Sequence, residues 1–230
     1  MKKILFATGS RMFVTGVLVG GALLFATSNA LSQETLAELI VPGASITVGN
    51  LVFYDFNNIS QVGDLSVPLS SIYVVPTTDN DGNYGIQFQS ALWSLNGADQ
   101  NYDLGLNFDV TTVGGQPVIN DDELTVTAGI LYDGATHVAE TVTDTDNNTL
   151  SSLEVYINSS SANVDDASVF PGSYDVIEVT KDFSMTTGDN SLSQVFVSHF
   201  DQTFSVVPEP SSALFLGLGG LGMLVFRRRK

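Results

Sequence analysis

The chain has 230 residues, no cysteine, and 25 acidic against 8 basic side chains, a formal net charge of −17 at pH 7. All 25 acids lie between Glu34 and Glu209, where Lys181 is the only base, so this segment carries a net charge of −24. Such a charge repels nucleic acid and anionic lipid, which excludes nucleic-acid binding as the function. The absence of cysteine excludes disulfides and removes the usual ligand of structural zinc.

The N-terminal segment predicts a secretory signal peptide. Its first residues are basic, residues 12–26 are mostly apolar, and Ser28-Asn29-Ala30 supplies the small residues of an A-x-A-like cleavage site. We therefore predict a signal peptide over residues 1–30 that is cleaved after Ala30. An uncleaved membrane anchor is the alternative for this segment.

Residues 31–206 predict a single all-β domain, because apolar and polar side chains alternate with the two-residue period of β-strands. The predicted strands are 46–56, 71–75, 84–89, 102–111, 123–130, 136–143, 150–158, 174–183 and 193–206. One apolar face and one polar face per strand suit an antiparallel sheet with one side in water. The fold class is thus a single antiparallel β-sandwich with Greek-key or jelly-roll-like connections.

Turn residues fall between the predicted strands. Asp81-Gly82 precedes the strand that begins at Tyr84. Asp133-Gly134 predicts a two-residue hairpin, since both residues tolerate the positive φ that such turns need. The one helix predicted in the body covers Gln33–Ile40, with Ser32 as its cap and with Leu36, Leu39 and Ile40 on one apolar face. A frayed N-terminus of the mature protein is the alternative for this segment.

The sequence offers little for enzymatic chemistry. It contains no G-x-S-x-G, P-loop or H-E-x-x-H motif, and its two histidines, His137 and His199, stand alone among strand residues. Residues 217–222 match the dinucleotide-binding pattern, but they lie in an apolar run with no strand before it, so we interpret the match as chance. Carboxylate pairs carry no specificity for glycoside hydrolysis in a chain with 25 acids. We predict that the protein is not an enzyme.

Two aspartate-rich loops are candidate sites for weak calcium binding, and the sequence indicates no other cofactor. Each has oxygen-bearing side chains at alternating positions, as calcium loops do. The candidate ligands are Asp79, Asp81, Asn83, Asp144, Asp146 and Asn148. Neither loop has the glutamate that closes an EF-hand, and polar hairpin turns are the alternative interpretation.

Three further features are interpreted structurally. The acidic runs Asp121-Asp122-Glu123 and Asp165-Asp166 predict solvated loop charge. Trp93, the only tryptophan, predicts core packing, with an exposed platform for sugars as the alternative.

The C-terminal segment, residues 207–230, has three parts in a fixed order. Pro208-Glu209-Pro210 comes first and an apolar segment over residues 211–226 follows. The chain then ends in a basic stop, Arg227, Arg228, Arg229 and Lys230. Cations after an apolar run stay cytoplasmic under the positive-inside rule, so the preceding body is expected outside the membrane.

This layout closely resembles the PEP-CTERM sorting signal, which exosortases process in Gram-negative bacteria that secrete exopolysaccharide. The resemblance covers residues 207–230 only. It implies the export machinery and an exosortase as partners, transient anchoring in the inner membrane, and a final location at the cell surface or in the extracellular matrix. A plain single-span tail anchor without processing is the alternative.

Three hypotheses for the body follow. The first is an exosortase-sorted surface or exopolysaccharide-matrix protein without enzymatic activity. The second is a carbohydrate- or calcium-binding β-sandwich module in the same setting, which an exposed aromatic row on one sheet face would favour. The third is a secreted hydrolase, which a concave pocket with two carboxylates about 5 to 10 Å apart would favour.

Overall fold

The structure, a computed structural model, describes residues 33–115 and 118–207. The described part of the chain forms one short α-helix, α1 (Leu36–Leu39), two 3₁₀ turns (Leu69–Ser71 and Val113–Gly115), and a series of strands. The strands are β1 (Glu34–Thr35), β2 (Ser45–Val48), β3 (Leu51–Gly63), β4 (Tyr73–Thr78), β5 (Tyr84–Gln89), β6 (Ser94–Asn96), β7 (Asn101–Thr112), β8 (Val118–Leu131), β9 (Gly134–Thr143), β10 (Thr149–Asn158), β11 (Ala162–Asn163), β12 (Asp165–Tyr174), β13 (Val176–Thr187), β14 (Gln194–Phe204) and β15 (Val206–Val207).

The strands make two antiparallel sheets. Sheet A has eight strands in the order β1-β4-β5-β14-β8-β12, with β6 beside β14 and β15 beside β8. Sheet B has seven strands in the order β11-β10-β9-β13-β7-β3-β2. The chain crosses between the sheets repeatedly, for example from β7 to β8 and from β13 to β14. The predicted fold class, a single antiparallel β-sandwich, is confirmed.

The inward faces of the two sheets share one apolar core, which aromatic rings join across the sandwich. Phe88 of sheet A lies 6.0 Å from Phe108 of sheet B, measured between ring centroids, and Phe200 of sheet A lies 5.2 Å from Phe183 of sheet B. Trp93 is 1% exposed and stacks on Phe200 at 5.5 Å. The prediction that Trp93 packs in the core is therefore confirmed, and the sugar-platform alternative is wrong.

The predicted strand 46–56 is two strands, β2 and β3, which form a hairpin. Gly49 turns the chain between them with φ +60°, and a Cβ on Gly49 would come within 2.3 Å of the Tyr84 ring. Only glycine fits this turn, because both the backbone conformation and the close ring exclude a side chain. Strand β12 was not predicted, since it is the edge strand of sheet A and most of its residues are exposed or half-exposed.

The predicted hairpin at Asp133-Gly134 is wrong. Strand β8 belongs to sheet A and β9 to sheet B, so the connection crosses the sandwich instead of pairing the two strands. The turn is made by Tyr132 and Asp133, with Tyr132 at φ +64°. Turn residues show that a strand ends, but they do not show which strand it pairs with.

The helix in the structure, α1, is shorter than the predicted helix Gln33–Ile40, and the prediction of Ser32 as its cap is wrong. Thr35 caps α1, because its Oγ1 accepts the Glu38 amide at 3.3 Å while the Glu38 carboxylate accepts the Thr35 amide at 2.8 Å. This reciprocal pair is a capping box. Leu36 and Leu39 are buried, so the predicted apolar face is confirmed for these two residues.

Candidate functional site

The outer face of sheet A carries polar side chains on three adjacent strands, β5, β14 and β8. The strand register aligns them in two rows, Gln89–His199–Thr127 and Gln87–Asp201–Thr125. Within the second row, Thr125 Oγ1 donates to Asp201 Oδ2 at 3.2 Å, and His199 Nε2 of the first row lies 3.7 Å from the same oxygen. The face thus presents amide, imidazole, carboxylate and hydroxyl groups side by side on a rigid support.

One end of this face has a cavity of about 590 Å³. We call it the amide–aromatic groove and define it by Tyr73, Gln89, Ser90, Ser94, Phe196 and Ser198. Tyr73 is 37% and Phe196 is 46% exposed, whereas Trp93 reaches the groove from the core. The sequence did not reveal this groove, because its residues come from four strands and one loop that only the fold brings together.

The two exposed rings of the groove are held by the strands themselves. Phe196 lies across β8 at Gly129, where a Cβ would come within 2.2 Å of the ring, so the glycine makes room for it. Tyr73 is the cross-strand partner of Gln89. Exposed rings fixed beside amide and hydroxyl groups form a site with apolar contact area and a few positioned polar groups, which is the usual composition of a ligand site.

A second cavity on the same face has a volume of about 230 Å³. We call it the acidic pocket, lined by Thr77, Asp79, Glu123, Thr125, Asp201 and Thr203. Burial, followed by repulsion from Asp165 and Asp79, raises the pKa of Glu123. Of the carboxylates that line this pocket, that of Asp79 accepts hydrogen bonds from the side chains of Asn83 and Thr203.

The two candidate calcium loops adopt one and the same turn. Asp79 Oδ1 accepts the amides of Asp81 at 2.8 Å and Asn83 at 2.9 Å in the β4–β5 hairpin. In the β9–β10 hairpin, Asp144 Oδ1 accepts the corresponding two bonds, from the amides of Asp146 and Asn148, both at 2.9 Å.

In both loops the carboxylate of the first aspartate, Asp79 or Asp144, therefore stabilises the turn by accepting backbone amides. Hydrogen bonds from Asn148 and from the Asp146 amide lower the pKa of Asp144. Among residues 33–115 and 118–207, no group of three or more His, Cys, Asp or Glu side chains is arranged to hold a metal ion. Calcium binding by these loops stays a prediction.

A polar cluster that the sequence did not reveal lies between the two sheets. Lys181 Nζ contacts the Glu140 carboxylate of the neighbouring strand and donates to Gln202 Oε1 of the opposite sheet at 2.6 Å. Asp122 accepts a hydrogen bond from Ser151 Oγ at 2.5 Å. We call these five residues the buried cluster.

The surroundings of the buried cluster shift the pKa values of Asp122 and Lys181. Asp122 is 1% exposed within β8, so the interpretation of Asp121-Asp122-Glu123 as solvated loop charge is wrong. Burial, followed by repulsion from Glu140, raises the pKa of Asp122 to about 8. Burial also lowers the pKa of Lys181, against the attraction of Glu140.

The predicted sorting and processing residues lie outside the described residues. These are Ala30 at the signal cleavage site, the motif Pro208-Glu209-Pro210, the apolar segment 211–226, and the basic stop Arg227, Arg228, Arg229 and Lys230. Within the part that the structure describes, no helix is long and apolar enough to cross a membrane.

Solved structures with a similar fold include carbohydrate-binding modules, all at low identity. TmCBM61 in complex with beta-1,4-galactotriose is 14% identical, with a TM-score of 0.26 over 65% of this chain and 90% of that chain. The family 11 carbohydrate-binding module from Clostridium thermocellum is 10% identical, with a TM-score of 0.21 over 75% of this chain and 96% of that chain. With TM-scores this low, the similarities do not indicate a ligand for this chain.

Sequence comparison identifies the end of the chain. No curated protein matches the sequence significantly. The PEP-CTERM protein-sorting motif matches residues 206–230. The match begins within β15, whose two residues pair with Val118 and Ile119 of β8. The predicted resemblance is confirmed, and the chain carries a PEP-CTERM sorting motif that begins in the last strand of an antiparallel β-sandwich.

Proposed function

We propose that the chain is an exported, exosortase-sorted protein without enzymatic activity that is placed at the cell surface or in the exopolysaccharide matrix. The sorting motif at residues 206–230 is the observation that carries this proposal. The charge distribution supports it, because basic residues flank a body of net charge −24 on both sides and are expected to remain cytoplasmic. The apolar segment 211–226 then serves as a transient anchor.

Fractionation of an exosortase-bearing host that produces the full chain tests this proposal. We expect the β-sandwich in the surface or extracellular fraction, where protease added to intact cells reaches it. A cytoplasmic marker protein is the control for lysis. Recovery of the chain with the cytoplasmic marker would contradict export.

We further propose that the amide–aromatic groove binds polysaccharide. A sugar ring has apolar C–H faces, which pack on aromatic rings, and hydroxyl groups at its edge, which pair with amides and hydroxyls. Tyr73 and Phe196 supply the exposed rings, and Gln89, Ser94 and Ser198 supply the polar groups. This combination in one groove is the observation that favours the second function.

The charge of the body indicates which polysaccharides the groove takes. A net charge of −24 repels uronic-acid and other anionic polymers, so the expected ligand is a neutral glycan. The acidic pocket on the same face adds to this repulsion, because it holds three carboxylates, those of Asp79, Glu123 and Asp201.

A pair of ring truncations tests the groove. Truncating an aromatic anchor at the centre of a binding site costs on the order of 2 kcal/mol, roughly a thirtyfold loss of affinity. We therefore expect the Tyr73→Ala/Phe196→Ala variant to weaken binding to neutral glucans, galactans or mannans at least about tenfold in affinity electrophoresis or calorimetry. The rings are exposed, so the melting temperature should change little.

The matched control is Tyr132→Ala, which removes a ring that is 62% exposed in the β8–β9 connection and does not line the groove. It should bind like the wild type. Absence of binding to every neutral polysaccharide, or equal binding by the double variant and the wild type, would contradict the role of the groove and would leave the sorting proposal untouched.

A further inference from the structure

Lys181 is the only base among the 25 acids of the body, and the fold places it in the core. On the surface, this cation would relieve part of the acidic repulsion. Instead, the side chains of Lys181 and Glu140 are both 0% exposed. Replacing a buried ion pair by packed apolar residues is often neutral or stabilising, so the pair is not explained by stability as an ion pair.

The geometry of the buried cluster brings an amine and a carboxyl group together. Lys181 and Glu140 are direct cross-strand partners on β13 and β9, and Nζ contacts Glu140 Oε2. Gln202 Oε1, from the opposite sheet, accepts a hydrogen bond from Nζ at 2.6 Å and so fixes the amine from a second side. The other carboxylate oxygen of Glu140 has no hydrogen-bond partner.

Asp122 supplies an acid beside this pair. It interacts with Glu140, and its Oδ2 accepts the Ser151 hydroxyl at 2.5 Å. Its Oδ1, like Glu140 Oε1, has no hydrogen-bond partner. A proton on Asp122 Oδ1, shared with Glu140 Oε1, satisfies both of these buried atoms at once.

We propose that Lys181 Nζ and the side-chain carboxyl group of Glu140 condense to an amide bond that cross-links β13 to β9. A proton passes from the ammonium to the carboxylate, which leaves a neutral amine and a carboxylic acid. Nζ then attacks Cδ of Glu140 while the Asp122 proton polarises Oε1, a proton moves from the nitrogen to the Oε2 hydroxyl, and this group leaves as water. One C–N bond forms, one C–O bond breaks and one water molecule leaves, without any oxidant or reductant.

The surroundings favour this condensation in three ways. Burial lowers the pKa of Lys181 and raises the pKa of Asp122, which favours transfer of the ammonium proton and keeps a proton on the acid. Two groups held in contact react with effective molarities that reach about 10⁵ to 10⁸ M. The product also removes two buried charges, which are costly in a medium of low polarity.

The amide retains the hydrogen bonds of the cluster. Its N–H donates to Gln202 Oε1, and its carbonyl accepts the proton of Asp122, whose other oxygen keeps the bond from Ser151. Exported domains are commonly cross-linked by disulfides, but this chain has no cysteine. The amide would supply a covalent cross-link in their place. The inference rests on the core alone and holds with or without glycan binding.

Mass spectrometry of the full chain tests the cross-link. After both chain ends are identified by peptide mapping, we expect the wild-type protein to be lighter than its sequence by one water molecule. Digestion should yield a branched peptide that joins the segments around Glu140 and Lys181. The Lys181→Arg variant keeps the positive charge but lacks the amine nucleophile, so it should have its full sequence mass.

The same measurement distinguishes the alternatives. A loss of ammonia in place of water would identify Gln202 as the acceptor and overturn the assignment to Glu140. A full sequence mass for the folded wild type, unchanged after prolonged incubation at neutral pH, would overturn the cross-link itself. Because the wild-type mass decides the question, the test stands even if Lys181→Arg does not fold.

Discussion

Replacing Pro208, Glu209 and Pro210 by alanine is expected to abolish release of the protein and leave it in the membrane fraction of an exosortase-bearing host. The physical reason is the apolar segment 211–226, which stays attached when processing fails. Insertion of an apolar helix is effectively irreversible compared with other membrane attachments, so the loss of release should be nearly complete. Immunoblots of the membrane and released fractions measure it.

The matched control keeps the motif and changes its neighbours. Ser211→Ala/Ser212→Ala alters two residues directly after Pro210, and release should equal that of the wild type. Equal release of the triple-alanine variant and the wild type would instead support a different processing route, and retention of both would support a plain tail anchor.

The second large effect expected is a loss of stability as the pH rises from 5 to 8. Burial raises the pKa of Asp122 to about 8, and burial together with Asp55 and Glu178 raises the pKa of Asp109 to about 6. Both groups keep a proton in the folded state at pH values where the unfolded chain has released it. Their contribution is therefore present at low pH and is lost as the pH rises through these folded-state pKa values.

The size of this effect follows from the linkage relation. One such group changes the free energy of unfolding by at most about 1.4 kcal/mol per pH unit. Taking about half of this limit over the interval, and roughly 2 to 4 °C per kcal/mol for a domain of this size, the melting temperature should fall by roughly 5 to 10 °C. Thermal unfolding followed by circular dichroism between pH 5 and pH 8 measures the fall.

Two variants assign the pH effect to the core. Asp122→Asn removes the titrating group and should flatten the upper half of the profile, whereas Asp146→Asn, in an exposed loop, should leave its shape unchanged. Equal slopes of melting temperature against pH for Asp122→Asn and the wild type between pH 6 and pH 8 would contradict the raised pKa of Asp122.

Alternation of apolar and polar residues was sufficient to predict the fold class and most strands. It also contained the signal for the buried cluster. Lys181 stands between Val179 and Phe183 on the inward face of β13, and Gln202 stands between Phe200 and Phe204 on that of β14. Each polar residue occupies an apolar position of its strand, and a search for such exceptions would have found the cluster.

Other features depend on pairings that a local pattern does not contain. Tyr73 and Phe196 lie 123 positions apart on β4 and β14, and only the order of sheet A brings them to one groove. The crossing at Tyr132 and Asp133 resembles a hairpin in sequence, because a turn between paired strands and a turn between sheets use the same residues. Long-range pairing, and not the strands themselves, was the missing information.

The intact mass of the protein released by its native host, or by an exosortase-bearing host, tests whether the sorting motif is processed. We expect a chain that begins at Leu31, ends near Pro208-Glu209-Pro210 and lacks residues 211–230. A released protein whose mass still includes the apolar segment and Arg227 to Lys230 would contradict sorting by the PEP-CTERM route.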